Sequence, residues 1–185
     1  MKQPLYKPAV FGCALLWLFA GTLQADMRVP VADDLHQDGR QALARQLPIL
    51  LAFSADDCGY CELLEEDFMQ PMLLSGEYGD RIIIRKLILD NGSDVRDFNG
   101  QQTEATRLSD RYRVFVTPTI LFVDGNGREL AERMVGINTP ELFGGYLDAC
   151  VETALAGIRN PAALATLHGC RLVQPATKLF SSAAP

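Results

Sequence analysis

Two cysteines, Cys58 and Cys61, stand three residues apart where an apolar run gives way to a helix-patterned stretch. That junction limits the fold more than any other feature of the chain. Pro48 to Ser54 (PILLAFS) follows a helix stop and reads as a buried strand. Asp56 and Asp57 supply a loop and a cap. From Cys58 to Met69, residues Cys61, Leu64, Glu65 and Phe68 recur at helical spacing, and Pro71 is expected to interrupt the helix. A buried strand that hands a cysteine to the first turn of a helix belongs in an α/β layer structure.

The flanking segments extend that pattern. Asp33 to Leu47 reads as a helix with Leu35, Ala42, Leu43 and Leu47 as its apolar stripe, weakened at Gly39. Arg81 to Leu89 (RIIIRKLIL) reads as a second buried strand. Asp90 to Gln102 is polar and rich in turn residues, and is read as a loop. Thr103 to Tyr112 reads as a helix with Thr103 as its cap, and Thr117 to Val123 as a strand entered through Pro118. Asp124-Gly125-Asn126-Gly127 is a strong hairpin turn, with Arg128 to Val135 returning and Gly136 breaking the strand. Thr139-Pro140-Glu141 opens a last helix running to about Ala156, and Asn160 to Leu167 suggests a further short one. No repeat or low-complexity tract interrupts the series. Alternating strands and helices predict a mostly parallel sheet closed by an antiparallel hairpin, with one core and helices on both faces.

The ends are of different material. Lys2 and Lys7 precede an apolar run from Ala9 to Thr22, and Leu23-Gln24-Ala25 offers a cleavage site before Asp26. This is the layout of a cleaved signal peptide. A retained anchor would need roughly 20 apolar residues, and a lipoprotein reading at Cys13 fails on the bulk of Phe11 and on the apolar run beyond the cysteine. The division is therefore 1–25 signal peptide, 26–47 N-terminal helical segment, 48–156 main domain and 157–185 C-terminal helical extension. The leader holds two of the 17 basic residues and none of the 23 acidic ones, so its loss takes the formal charge from −6 to −8. Such an acidic protein is a poor partner for nucleic acid or anionic membranes. Trp17 and Cys13 leave with the leader; Cys58, Cys61, Cys150 and Cys170 remain.

Cysteines at i and i+3 in a helix's first turn can reach one another. The helix N-terminus carries partial positive charge, which favours a thiolate at Cys58. The thiolate is the species that attacks a disulfide. Cys61, one turn in, can then attack Cys58 and release reduced substrate. Two other readings compete: a static bridge, or half of a metal site. A structural zinc site wants four ligands, whereas His36 and His168 lie far off in sequence and are expected to face solvent, so neither metal nor cofactor is anticipated. The chain has no Gly-x-Ser-x-Gly elbow and no phosphate-cradling glycine loop.

The strand-CxxC-helix unit resembles the thioredoxin superfamily. Val116-Thr117-Pro118-Thr119, leading into a strand and the hairpin, is similar to that family's second signature, and Gly136 sits where the family has a glycine. The resemblance covers about Pro48 to Leu155. It implies a thioredoxin fold, a cis Pro118 beside the cysteines, and substrate binding through the backbone of Thr117. The leader and the long polar segment Asp90 to Arg107 look most like SoxW-type periplasmic proteins. A periplasmic thiol–disulfide oxidoreductase is therefore expected, acting on a disulfide-bearing protein or small thiol, re-reduced by a membrane thiol transporter, and monomeric. Oxidase or isomerase activity at the same centre, or a non-catalytic binding module, are the alternatives. A copper chaperone would need a methionine or histidine beside the cysteines, and none stands between Asp56 and Asp67.

Three departures from the family pattern carry information. Ala52 replaces a buried acid six residues before the first cysteine, which leaves water or Asp57 to move the Cys61 proton. Asp57 replaces a tryptophan; with Asp56 it opposes the Cys58 thiolate and favours the disulfide, hence a reductant. Gly59-Tyr60 replaces Gly-Pro and settles no direction, since disulfide isomerases also use it. Cys150 on the last helix and Cys170 in the extension are read as a structural bridge, worth about 3 kcal/mol on the chain-entropy model; an electron relay to Cys61 or two free thiols are the other readings.

Overall fold

The computed structural model describes residues 28–160 and Cys170. The leader, the helix expected after Asn160, His168 and the tail lie outside the described residues.

Ile49–Ser54 forms strand β1, and its residues are buried on both sides of the sheet. Ile49, Leu51 and Phe53 point to one core, Leu50 and Ala52 to the other, as the two-residue period of a strand dictates. Helix α1 (Leu35–Arg45) precedes it. After it come α2 (Gly59–Leu64), a π-helical turn (Glu65–Met69) and α3 (Gln70–Ser75). Then follow β2 (Ile83–Ile88), β3 (Asp94–Arg96), β4 (Gln102–Glu104), α4 (Ala105–Tyr112), β5 (Thr119–Val123), β6 (Met134–Val135) and α5 (Pro140–Arg159). The main sheet has the order β2-β1-β5-β6, while β3 and β4 form a separate pair. On one face α2, α3 and α5 bury Leu64, Met72, Phe143, Leu147 and Val151; on the other α1 and α4 bury Leu35, Ala42, Ala105 and Leu108. This is the thioredoxin fold: a central mixed sheet flanked by helices.

Several expectations need correction. The sheet is not mostly parallel: β1 pairs with β2 in parallel, but β1–β5 and β5–β6 are antiparallel. The chain leaves β2 level with Ser54 and re-enters at Thr119 level with Phe53. The β3–β4 hairpin and α4 return it to the end it left, so β5 must run back. Asp90 to Gln102 is accordingly no plain loop. Thr103 lies inside β4 and does not cap α4, whose N-cap is Glu104.

Pro71 does not end its helix. The π turn, in which the Gln70 N–H donates to the Glu65 carbonyl, absorbs an extra residue just before a proline that has no N–H to give. The return strand shrinks to Met134–Val135, preceded by a single bridge from Glu129 to Val123. Arg81 and Leu89 fall outside β2, Thr139 makes no side-chain cap, and α5 runs on to Arg159. His36 is half-buried, its Nδ1 3.0 Å from the Phe98 carbonyl oxygen.

Candidate active site

β1 delivers the chain to Ala55, Asp56 and Asp57, and the Asp56 N–H donates to the Asp90 carboxylate at 2.9 and 3.1 Å. This fixes the loop against the end of β2. Cys58 is the N-cap of α2, with extended φ −127° and ψ 95°. Its sulfur is bonded to Cys61, with the two Cα atoms 5.1 Å apart. Cys58 is half-buried, while Cys61 is 5% exposed. Gly59 and Tyr60 between them face solvent, and Tyr60 is 61% exposed.

Two donors reach the Cys58 sulfur. The Cys61 N–H donates at 3.2 Å and the Thr117 hydroxyl at 3.6 Å. The Thr117–Pro118 bond is cis. Pro118 is buried, its carbonyl accepting from the Gly136 N–H at 2.8 Å. The Thr119 hydroxyl donates to the Val116 carbonyl at 2.6 Å, which tightens the same bend. Phe115 and Val116, just before it, are exposed apolar residues. Thr117 and Pro118 thus stand beside the cysteine pair. Asp56 and Asp57 are exposed on its near side and reach solvent rather than the core.

Beside Cys61 lies a cavity of about 120 Å³, walled by Ser54, Ala55, Asp56, Glu62, Glu65 and Lys86 among others. Glu65 and Lys86 are ion-paired at 2.7 Å with side chains only 17% and 16% exposed. Sequence patterning alone assigns no role to Glu65, Lys86 or Asp90. The available signal was a glutamate on the inward stripe of a helix and a lysine amid the apolar residues of a buried strand.

The second cysteine pair is also bridged: Cys150, buried in α5, bonds Cys170 with Cα atoms 4.7 Å apart. A larger cavity of about 330 Å³ opens beside that bridge, between Met134–Gly136 and Phe143 and Tyr146. Among the described residues, no three histidine, cysteine, aspartate or glutamate side chains converge as a metal-holding group.

The family model for the thioredoxin-like domain matches residues 35–150, and the chain belongs to that family. Within it, a CxxC disulfide sits on a thioredoxin-like fold. The chain is 26% identical over 129 residues to the thiol:disulfide interchange protein DsbD of Ralstonia nicotianae, covering 70% of this chain and 20% of that protein. It is 27% identical over 116 residues to thioredoxin-T of Drosophila melanogaster, covering 63% of this chain and 62% of that one. It therefore spans less than two thirds of either relative. A thioredoxin-fold protein of Helicobacter pylori is a structural neighbour with a TM-score of 0.49 and 18% identity, covering 70% of this chain and 91% of that one.

Proposed function

We propose that this chain is a periplasmic thiol–disulfide oxidoreductase, working chiefly as a reductase of protein or small-molecule disulfides. The observation that carries the reading is the asymmetry of the pair: a half-buried Cys58 at a helix N-cap, joined to a buried Cys61, with the Thr117–Pro118 bend against the Cys58 sulfur. Reduced Cys58 is the nucleophile. The Cys61 N–H, the Thr117 hydroxyl and the N-terminus of the helical run from Gly59 to Ser75 all favour its thiolate. Attack on a substrate disulfide gives a mixed disulfide and expels one substrate thiolate. Cys61 then attacks Cys58, the mixed bond breaks, and the second substrate thiolate leaves. Two electrons pass to the substrate, and the protein is left with the Cys58–Cys61 disulfide. The exposed Tyr60, Phe115 and Val116 supply an apolar rim for the incoming chain.

Charge leans the direction towards reduction. Asp56 and Asp57 precede Cys58 directly in the chain, and Asp90 holds the Asp56 N–H, so their negative charge disfavours the thiolate and favours the disulfide. Export is read from the leader, and with it a SoxW-like setting in which a membrane thiol transporter re-reduces the pair. The partial match to a protein named for thiol:disulfide interchange supports disulfide exchange as the chemistry.

Insulin reduction tests the catalytic reading: Cys58→Ser abolishes it, and retained activity would sink the proposal. The reduction potential tests direction. Redox buffers, thiol alkylation and mass spectrometry should place the Cys58–Cys61 couple near about −270 mV, whereas a value near about −120 mV would make the protein an oxidant.

A further inference from the structure

Resolution of a mixed disulfide requires the Cys61 thiol to lose its proton at a site almost closed to bulk water. The cavity beside Cys61 is roomy enough for water and carries titratable groups on its wall. Asp56 from the β1–α2 loop and Glu62 from α2 are exposed. Asp57, the acid expected from sequence to serve Cys61, is exposed and is not part of that wall. Glu65 and Lys86 are the inward pair.

Glu65 follows Cys61 by four residues, which puts both on one helix face. Its carboxylate is held from two sides: Oε1 accepts from the Val29 N–H at 3.3 Å, and Oε2 accepts from Lys86 Nζ at 2.7 Å. Lys86 is level with Ala52 in the β1–β2 register, and that small buried side chain brings no polar group of its own. A half-buried ion pair costs desolvation that apolar side chains would avoid. This one is retained on the wall of the cavity that Cys61 also lines.

We propose that Glu65, positioned by Lys86, accepts the proton of Cys61 during resolution. The inference rests on the oxidoreductase reading above. In the mixed disulfide, the Cys61 thiol passes its proton to the Glu65 carboxylate, directly or through water in the cavity. The Cys61 thiolate forms the bond to the Cys58 sulfur, and the bond from Cys58 to substrate breaks. The substrate sulfur leaves with the electron pair and takes a proton from solvent, while Glu65 returns its proton through the cavity. Lys86 stays cationic throughout and offsets the negative charge as it moves from Glu65 to Cys61.

The test is a stopped-flow reaction of the reduced full-length protein with 5,5′-dithiobis(2-nitrobenzoate). A Cys58→Ser/Cys61→Ser variant supplies the background from Cys150 and Cys170. Attack by Cys58 releases the first thionitrobenzoate, and attack by Cys61 on the mixed disulfide releases the second. Glu65→Gln keeps an acceptor for Lys86 and Val29. It should slow the second phase about 100-fold at neutral pH, the lower part of the range for general base catalysis. The remaining rate should rise about tenfold per pH unit, as hydroxide takes over the base's role. Glu65→Asp should recover part of the rate. Glu65→Gln/Lys86→Met removes the cation as well, guards against misfolding around an unpaired charge, and should show the same loss. A second phase with wild-type rate and pH profile in both Gln variants overturns the inference. Absence of a fast first phase in the wild type would instead overturn the oxidoreductase reading.

Discussion

Asp97 is a buried carboxylate on which the β3–β4 hairpin turns, and its replacement has a calculable cost. Its Oδ1 accepts from the backbone N–H of Asn99 at 3.0 Å and of Gln101 at 2.9 Å, and its Oδ2 from Arg111 of α4 at 2.7 Å. Burial alone would push the carboxyl up, but the Arg111 and backbone hydrogen bonds outweigh it and hold Asp97 below the usual carboxylate range. Asp97→Asn keeps the shape and the Oδ1 acceptor but turns an amide donor towards Arg111. A hydrogen bond to a charged group contributes about 1.5–3 kcal/mol. The Arg111 side chain is 47% exposed, so water screens that bond, and about 2 kcal/mol at pH 7 is the expected loss.

The pH dependence has a fixed sign. The folded value is depressed, so the contribution is complete above about pH 4, the ordinary unfolded value, and fades as pH falls through the lower folded one. Urea unfolding followed by circular dichroism should therefore separate wild type from Asp97→Asn by about 2 kcal/mol at neutral pH. The gap should narrow steadily as the pH is lowered below about 4, as protonation of the carboxyl becomes part of unfolding. A gap that stays constant across that interval would refute the reasoning, because it would show that packing rather than the ionised carboxylate holds the turn.

Gly39→Ala would drive a Cβ into the Gly125 carbonyl oxygen. Overpacking of about 1–3 kcal/mol should exceed the roughly 1 kcal/mol gained in helix propensity, so the melting temperature falls; a rise would overturn the argument. Burial, with Glu129 adding to it, pushes the Tyr112 phenol up to about 12, while its hydroxyl donates to the Gly127 carbonyl at 2.8 Å. Ultraviolet titration should show Tyr112 ionising late, with its share of stability present below about pH 10 and lost as pH rises towards the folded value. Tyr112→Phe removes that late step and about 1 kcal/mol of stability.

The strands at the centre were legible because Ile49–Phe53 and Ile120–Val123 are unbroken apolar runs. The cysteine pair was legible because its context, strand then helix, is local. What escaped is what long-range contacts decide. The hairpin Asp94–Glu104 has one buried apolar side chain, Val95, so alternation carries almost no signal there. Its order comes from Asp97 and from backbone bonds such as Arg96 N–H to the Asp33 carbonyl. Gly39 looks like a flaw in α1 until the hairpin turn is seen: its bare Cα lets the backbone of Gly125 approach. Pro71 reads as a stop by local rules, and only the preceding π turn lets the helix pass it. Glu65 was noticed for its spacing alone. Its meaning depends on Lys86, which lies 21 residues away and meets it across the cavity beside Cys61.

The same distinction bears on redox direction. The interval between a thioredoxin-like and a strongly oxidising potential, from about −270 to −120 mV, corresponds to roughly 7 kcal/mol at 30 mV per 1.4 kcal/mol. The fold supplies the terms that favour the Cys58 thiolate, namely the helix N-terminus, the Cys61 N–H and the Thr117 hydroxyl. Those belong to backbone placement and one side chain. Against them stand Asp56, Asp57, Asp90 and Glu62, all but one in loops and all near solvent. A unit charge about 4 Å away in water-like surroundings is worth about 1 kcal/mol. Four such carboxylates therefore reach about half of the interval at most, and less in salt. Surface charge can lean the couple towards the reducing end but cannot place it there alone. A couple at the reducing end would draw the rest from how well the buried side of the pair tolerates the reduced state, and that side holds the Glu65–Lys86 pair.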